Sequence, residues 1–106
     1  MTTYEVETVD AETAEPTLVE RARLLTDRIR ERADGVEAAR NVDPTTIEEL
    51  TEAGLFRAFL PSRFGGLEAD PIAFYTAVRD IASTDGSTGW VSSVVGVHPW
   101  QVALFD

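Results

Sequence analysis

Apolar residues recur every three or four positions in the first half of this chain. This spacing predicts a helix that buries one stripe and turns its arginine and carboxylate side chains to solvent. Gly35 costs about 1 kcal/mol relative to alanine inside a helix, so we expect the helix either to end there or to continue weakly to Arg40. The stripe consists of Leu18, Ala22, Leu25, Ile29, Ala33 and Val36.

An aspartate-proline pair predicts the start of a second helix. Asp43 is a suitable N-cap, and Pro44 is suitable in the first turn, where its missing N–H is not needed. We expect this helix to end at Gly54, in the left-handed position, with Leu55 touching Leu50.

Residues 55–70 show no helical period and contain a proline and a glycine pair, which predicts a loop. A second aspartate-proline pair, Asp70-Pro71, then predicts a third helix that ends within residues 83–86. We expect the loop to pack its large apolar residues against the neighbouring helices. These residues are Phe56, Phe59, Leu60 and Phe64.

Residues 86–100 form a run without charge that holds the only histidine and both tryptophans. Its valines favour a strand, but its length and setting favour a helix capped by Asp85 or Ser87. In a chain so rich in carboxylates, we expect such a run to be buried on most sides, in a core or along a cavity wall.

Pro99 should end this helix and start a last one at residues 100–106, because proline removes a helical hydrogen bond and clashes with the preceding turn. Before that point Trp90, Val94 and His98 share one stripe, and the two rings lie about 12 Å apart along the axis. The chain is therefore expected to be all-α, with about five helices. Its last helix ends without a cap, as expected of the front part of a longer protein.

Composition narrows the classes of function. The net charge is −10 and all nine basic residues are arginine, so nucleic acid and anionic membranes are not expected as partners. Without cysteine, the chain has no disulfide or thiolate chemistry. Residues 1–16 lack the basic and apolar regions of a signal peptide, which indicates a disordered acidic tail on a cytoplasmic protein, followed by one domain at residues 17–106.

His98 is the first candidate for chemistry, because histidine exchanges a proton near neutral pH. Trp90, on the same stripe, would suit an aromatic pocket with one polar group. A structural role is the alternative for both, and Trp100 is likewise more typical of a core residue. Ser92 and Ser93 could bind a ligand, but buried serines more often bond back to their own helix. No second histidine or carboxylate set completes a metal site, so no metal is expected.

Residues 86–89, Gly-Ser-Thr-Gly, invite comparison with a phosphate-binding loop at a helix start. No lysine follows them, and the glycine spacing of the nucleotide-binding motifs is not met. A tight turn between two helices is the favoured interpretation.

Two stretches resemble proteins of the acyl-CoA dehydrogenase fold. Residues 52–67, EAGLFRAFLPSRFGGL, are similar to its N-terminal helical domain, and residues 86–100, GSTGWVSSVVGVHPW, resemble its flavin-dependent monooxygenase branch. The likeness there is to oxygenase components that hydroxylate phenols, including secosteroid hydroxylases. It covers residues 17–106 and implies that a β-domain and a C-terminal helical bundle belong to the longer protein.

The resemblance also implies a function. A separate flavin reductase supplies reduced FMN or FAD, which with O2 hydroxylates a phenolic or polycyclic aromatic substrate in a homotetramer. By resemblance, His98 contacts the substrate hydroxyl and draws its proton, while Trp90 walls the aromatic pocket. The flavin is expected to bind mainly to regions absent here, and its contacts within this chain are unassigned. This chain alone is therefore expected to be inactive.

Two other interpretations stay open. The domain could belong to an acyl-CoA dehydrogenase that oxidises a thioester by hydride transfer to FAD. Trp90 and His98 argue against this, because a thin acyl chain needs neither an aromatic wall nor a proton acceptor. The other interpretation is a non-catalytic helical interaction module whose apolar end, residues 100–105, binds a partner.

Overall fold

A computed structural model describes residues 16–105 of the chain. This part contains four α-helices: α1 at Leu18–Ala39, α2 at Pro44–Glu52, α3 at Pro71–Ala82 and α4 at Gly86–Ala103. It contains no strand within those residues, so the predicted all-α class is confirmed. The expected acidic tail, residues 1–16, lies outside the described residues except for Pro16.

Helix α1 runs through Gly35, where it was expected either to end or to weaken. It begins after Thr17, whose side-chain oxygen accepts a hydrogen bond from the Glu20 N–H at 3.2 Å. It ends at Arg40, whose φ of 55° is left-handed and whose N–H bonds the carbonyls of Val36 and Glu37. The cost of glycine is therefore offset by the apolar stripe, which is buried on both sides of position 35.

Both aspartate-proline pairs start helices as predicted. The Asp43 carboxylate accepts from the Thr45 N–H at 2.8 Å, and the Asp70 carboxylate accepts from the Ile72 N–H at 2.9 Å. Gly54 follows α2 with a φ of 90°, which also confirms the predicted end of that helix. These caps are local interactions, so the sequence alone is enough to predict them.

The loop at residues 55–70 is confirmed, with two short 3-10 turns at Leu55–Arg57 and Ser62–Phe64. It folds back on itself, since the Leu67 N–H bonds the Arg57 carbonyl at 2.9 Å. Phe59 packs on Phe74 of α3 with ring centroids 4.5 Å apart, but Phe64 is exposed. The expectation that Phe64 packs on a helix is wrong, because its ring instead lies under the guanidinium of Arg63, at 4.8 Å.

Helix α3 is the centre of the domain, because it packs against both α1 and α4. Its Phe74, Ala77 and Ile81 are completely buried. The remaining members of the core come from α1, α2 and the turn after α2. They are Leu18, Ala22, Ile29, Leu50, Leu55 and Ala58.

Pro99 does not end the helix that precedes it, so the prediction of a separate helix at residues 100–106 is wrong. Helix α4 continues through Pro99 to Ala103, which leaves four helices rather than about five. Proline keeps a helical φ and removes the bond to the carbonyl four residues earlier. That carbonyl belongs to Val95, an exposed residue, so water can replace the missing donor.

None of the helices in residues 16–105 combines the length and the apolar character that a bilayer crossing requires.

Candidate functional site

Helix α4 faces the core with its small residues and faces outward with its large ones. Gly89, Ser92 and Gly96 are buried, whereas Trp90 is 68% exposed and Trp100 is 49% exposed. A Cβ at Gly89 would lie 2.4 Å from the Cβ of Ala82, so this face tolerates no larger residue. The expectation that the uncharged run is buried on most sides is therefore wrong, because close packing on α3 pushes the bulky side chains outward.

His98 lies in an apolar groove of about 580 Å³ on the outer side of α4. The imidazole is the only polar side chain of the lining and is exposed to the groove. Such a wall suits an apolar ligand that carries one polar group. The lining residues are Leu60, Val94, Val95, His98, Pro99 and Val102.

The ring of His98 is tied to its own helix. Its Nδ1 lies 2.5 Å from the backbone carbonyl oxygen of Val94, one turn earlier. This contact fixes the orientation of the imidazole from the Nδ1 side. Among the described residues, no hydrogen bond reaches the other ring nitrogen, Nε2.

Trp90 does not line the groove that holds His98. Of the predicted stripe, the structure brings Val94 and His98 together in one lining, with Leu60 from the loop opposite. The indole of Trp90 lies two turns before His98 and is open to solvent. Within the described residues, Trp90 and His98 therefore belong to one helix, and of the two only His98 lines this groove.

The serines of α4 differ from each other. Ser93 donates its hydroxyl to the Trp90 carbonyl at 2.7 Å, which confirms that it bonds back to its own helix. Ser92 is buried, and its hydroxyl has no hydrogen-bond partner among the described residues. The interpretation of Ser92 as a serine bonded to its own helix is therefore wrong.

The start of α4 is a turn between helices, as the sequence indicates. The Asp85 carboxylate accepts from the N–H of Thr88 at 3.0 Å and from its hydroxyl at 2.5 Å. A carboxylate already occupies the positive end of this helix, which disfavours an anionic ligand there.

Residues 12–105 match the family model of the acyl-CoA dehydrogenase N-terminal domain. The chain belongs to this family. The expected all-α fold of an acyl-CoA dehydrogenase N-terminal domain is thereby confirmed.

The relatives of this acyl-CoA dehydrogenase N-terminal domain include flavin-dependent monooxygenases. The oxygenase subunit HsaA of Rhodococcus jostii strain RHA1, a flavin-dependent monooxygenase, is 48% identical over 88 residues, 83% of this chain and 23% of that protein. The oxygenase component of p-hydroxyphenylacetate 3-hydroxylase from Acinetobacter baumannii is 32% identical over 89 residues, 84% of this chain and 21% of that protein. The resemblance to the monooxygenase branch is thus confirmed.

A solved structure shows the same fold. The crystal structure of 3-HSA hydroxylase from Rhodococcus sp. RHA1 matches with a TM-score of 0.83 and 46% identity, over 87% of this chain and 24% of that one. This acyl-CoA dehydrogenase N-terminal domain thus spans about a quarter of the length of these relatives.

A second apolar cavity of the domain, of about 280 Å³, has no counterpart in the sequence-based predictions. It is lined by Phe59, Pro71, Tyr75, Val97 and Trp100. Phe59 was expected only as a packing residue and Trp100 as a core residue, because aromatic residues are usually buried. No local pattern shows that a loop residue and two helices meet here, so this cavity could not be found from the spacing.

One cluster of charged side chains joins α1 and α2 of the domain. Glu49 accepts hydrogen bonds from Arg28 and Arg32, each at 2.5 Å. The bond from Arg32 is the main cause that lowers the pKa of Glu49, while burial opposes it and Arg28 adds to it. This cluster joins two helices and contributes to stability.

Within residues 16–105, no group of three histidine, aspartate or glutamate side chains could hold a metal ion.

Proposed function

We propose that this domain forms one wall of the substrate pocket in the oxygenase component of a flavin-dependent monooxygenase. Its substrate is a phenolic or polycyclic aromatic compound. The observation that carries the proposal is the apolar groove on α4, in which His98 is the only polar side chain. An aromatic ring with one hydroxyl group has the chemistry that such a wall recognises.

The relatives support this class of reaction. The protein that is 48% identical is named a flavin-dependent monooxygenase, and another relative is named a hydroxylase of p-hydroxyphenylacetate, a phenol. Both are named as oxygenase subunit or oxygenase component, which supports a separate flavin reductase as partner. We therefore expect reduced FMN or FAD and O2 as co-reactants of the full-length oxygenase.

The groove itself does not fit a flavin. Its lining has one polar side chain and no cation, whereas a flavin nucleotide brings a phosphate group and a polar ring edge. We place the flavin on parts of the full-length protein outside this chain. When bound, it supplies the activated oxygen, and no step of that chemistry is assigned to the residues described.

The proposed role of His98 is to bind the substrate hydroxyl and accept its proton. Loss of that proton makes an aromatic ring more nucleophilic toward an electrophilic oxygen. General-base catalysis of this type contributes on the order of 10²–10⁴ in rate. Trp90 is proposed as a further wall of the aromatic pocket, beyond the groove lining, because its exposed indole lies on the same helix as His98.

We propose that the full-length protein is a cytoplasmic homotetramer. Large apolar side chains stand exposed at the end of α4 and would be covered in a longer, assembled protein. They are Trp100, Val102, Leu104 and Phe105. Light scattering on the full-length oxygenase tests the assembly, and a monomer under assay conditions would contradict it.

The same exposed end favours a second candidate, a non-catalytic interaction module. In that case the chain without further domains binds a partner protein through residues 100–105 and needs no flavin. The acyl-CoA dehydrogenase alternative has the support of the family name alone, since the relatives given above are hydroxylating enzymes.

The deciding experiment assays the full-length oxygenase with a flavin reductase, NADH, O2 and a panel of phenols, and with an acyl-CoA as a competing substrate. We expect hydroxylated phenol, and His98→Ala should lower kcat/KM by about 10²-fold or more. Ser87→Ala, at an exposed position of α4 outside the groove lining, is the matched control and should keep the parent's rate. Thioester oxidation instead of hydroxylation, or equal rates for His98→Ala and the parent, would overturn the proposal.

A further inference from the structure

We infer that the backbone carbonyl of Val94 holds His98 in one tautomer, with the proton on Nδ1. The groove therefore recognises its ligand through a hydrogen bond that the ligand donates to Nε2. The inference rests on the proposed function for the identity of the ligand as an aromatic compound. The assignment of the tautomer is independent of that function.

The tautomer follows from the partner of Nδ1. That nitrogen lies 2.5 Å from the carbonyl oxygen of Val94. A carbonyl oxygen has lone pairs and no hydrogen, so the hydrogen of this bond must be on Nδ1. In the neutral imidazole the second nitrogen then carries a lone pair, so Nε2 of His98 is an acceptor.

The surroundings leave Nε2 for a ligand. The five other lining residues are apolar, and within residues 16–105 no side chain bonds to Nε2. A donor group that enters the groove therefore meets no competing protein group. A ligand that only accepts hydrogen bonds would leave Nε2 unpaired in an apolar site, which is unfavourable.

The same lining sets the charge of the preferred ligand. It contains neither arginine nor lysine, so a carboxylate placed in this groove would lose water without gaining a cation. A volume of about 580 Å³ is in the range that holds a drug-sized molecule. The ligand class is accordingly a neutral, bulky aromatic alcohol rather than an aryl carboxylate.

The arrangement also defines the proton transfer. The hydroxyl proton of the ligand moves to Nε2, and the ligand keeps the electron pair of the broken O–H bond. The imidazolium that forms has hydrogens on both nitrogens, and its Nδ1–H still donates to Val94. This bond becomes charge-assisted and is therefore stronger after the transfer than before it. Val94 thus acts as a positioning residue through its backbone.

The tautomer is tested by ¹⁵N NMR of the imidazole in this 106-residue chain and in the full-length oxygenase, at a pH where the ring is neutral. His98 is the only histidine of the chain, so its two nitrogen signals in the chain need no assignment by mutation. We expect a protonated Nδ1 and an unprotonated Nε2. A histidine free in water prefers the opposite form, so a protonated Nε2 or an averaged pair of signals would overturn the inference.

Ligand binding is tested by titrating this chain and the full-length oxygenase with 2-naphthol, its methyl ether 2-methoxynaphthalene, and 2-naphthylacetate. We expect 2-naphthol to shift the Nε2 signal and to bind roughly tenfold more tightly than either of the others, the value of about one hydrogen bond. Equal binding of naphthol and its ether would overturn the ligand assignment. If the full-length oxygenase hydroxylates phenols although His98 carries no proton on Nδ1, the tautomer assignment is wrong and the proposed function still stands.

Two substitutions distinguish the ring nitrogens. His98→Gln places an amide near the position of Nε2, whereas His98→Asn places one near the position of Nδ1. We expect His98→Gln to keep part of the preference for 2-naphthol over its ether and His98→Asn to lose it. The reverse order would contradict the assignment of Nε2 as the acceptor.

Discussion

Gly96 of α4 lies directly against the ring of Phe74 in α3. A Cβ at position 96 would be 2.5 Å from both Cε1 and Cζ of that ring, and Phe74 is completely buried. The missing side chain therefore lets the two helices approach closely. Because this contact fixes which side of α4 faces the core, it also directs His98 outward, into the groove.

Replacement of this glycine should destabilise the domain. Gly96→Ala forces a methyl group into the space of the Phe74 ring, and we expect a loss of about 2 to 3 kcal/mol in the free energy of unfolding. Urea denaturation followed by circular dichroism measures it. Gly35→Ala is the control, since no atom lies within 4 Å of a Cβ there. It should stabilise helix α1 by about 0.5 to 1 kcal/mol. A neutral Gly96→Ala would contradict the packing.

Pro99 lines the groove, and we expect it to lower the stability of the domain. Proline inside a helix removes one hydrogen bond and costs about 3 kcal/mol, partly offset by the lower entropy of the unfolded chain. We therefore expect Pro99→Ala to raise the melting temperature. Pro71→Ala, at the first position of α3 where proline fits well, should leave it unchanged or lower. A lower melting temperature for Pro99→Ala would mean that the ring packs more favourably than the helix bond it replaces.

Ser92 should contribute nothing to stability through its hydroxyl. This oxygen is buried and has no partner among the described residues, and a buried unpaired hydroxyl costs about 1 to 3 kcal/mol. Ser92→Ala is thus expected to be neutral or to stabilise the chain by about 1 kcal/mol in thermal denaturation. Ser93→Ala, which removes a bond to the Trp90 carbonyl, should not stabilise it. A marked loss in Ser92→Ala would show that its hydroxyl is paired.

The sequence predicts well those features that depend on neighbouring residues. The caps at Asp43 and Asp70 and the left-handed Gly54 are made by interactions within four residues, and each was found where expected. The resemblance supplied the fold. These parts needed no knowledge of how the helices pack.

The features that sequence analysis missed depend on contacts between distant elements. The exposure of Trp90 follows from the contact of Gly89 with Ala82 in another helix, which spacing along the chain does not show. The continuation of α4 through Pro99 depends on the outward position of Val95. Periodicity shows which residues share a face of a helix but not which face packs against another helix. In α4 the face of small residues and the face of large residues are both uncharged, so charge does not distinguish them.

Glu49 makes the most extensive charged contact of the described residues. Its carboxylate bonds Arg28 and Arg32 of α1, and Arg32 also donates to the Thr46 hydroxyl at 2.9 Å. The side chains of Glu49 and Arg32 are 17% and 24% exposed, so this pair is shielded from solvent more than a surface ion pair is, whereas Arg28 is mostly exposed. The two helices are therefore linked through one carboxylate.

This carboxylate should make the stability of the domain depend on pH in the acidic range. The pKa of Glu49 is lowered in the folded state, chiefly by Arg32, so the unfolded chain binds the proton more readily. The resulting stabilisation is fully present above the ordinary carboxyl pKa of 4.5 and is lost as the pH falls through the lower folded value. Urea denaturation at pH 7 should show Glu49→Gln to be less stable than the parent by about 1 kcal/mol, and the difference should shrink below pH 4.5. Glu48→Gln, at an exposed neighbouring position, should follow the parent, and a constant gap between parent and Glu49→Gln down to pH 3 would contradict the assignment.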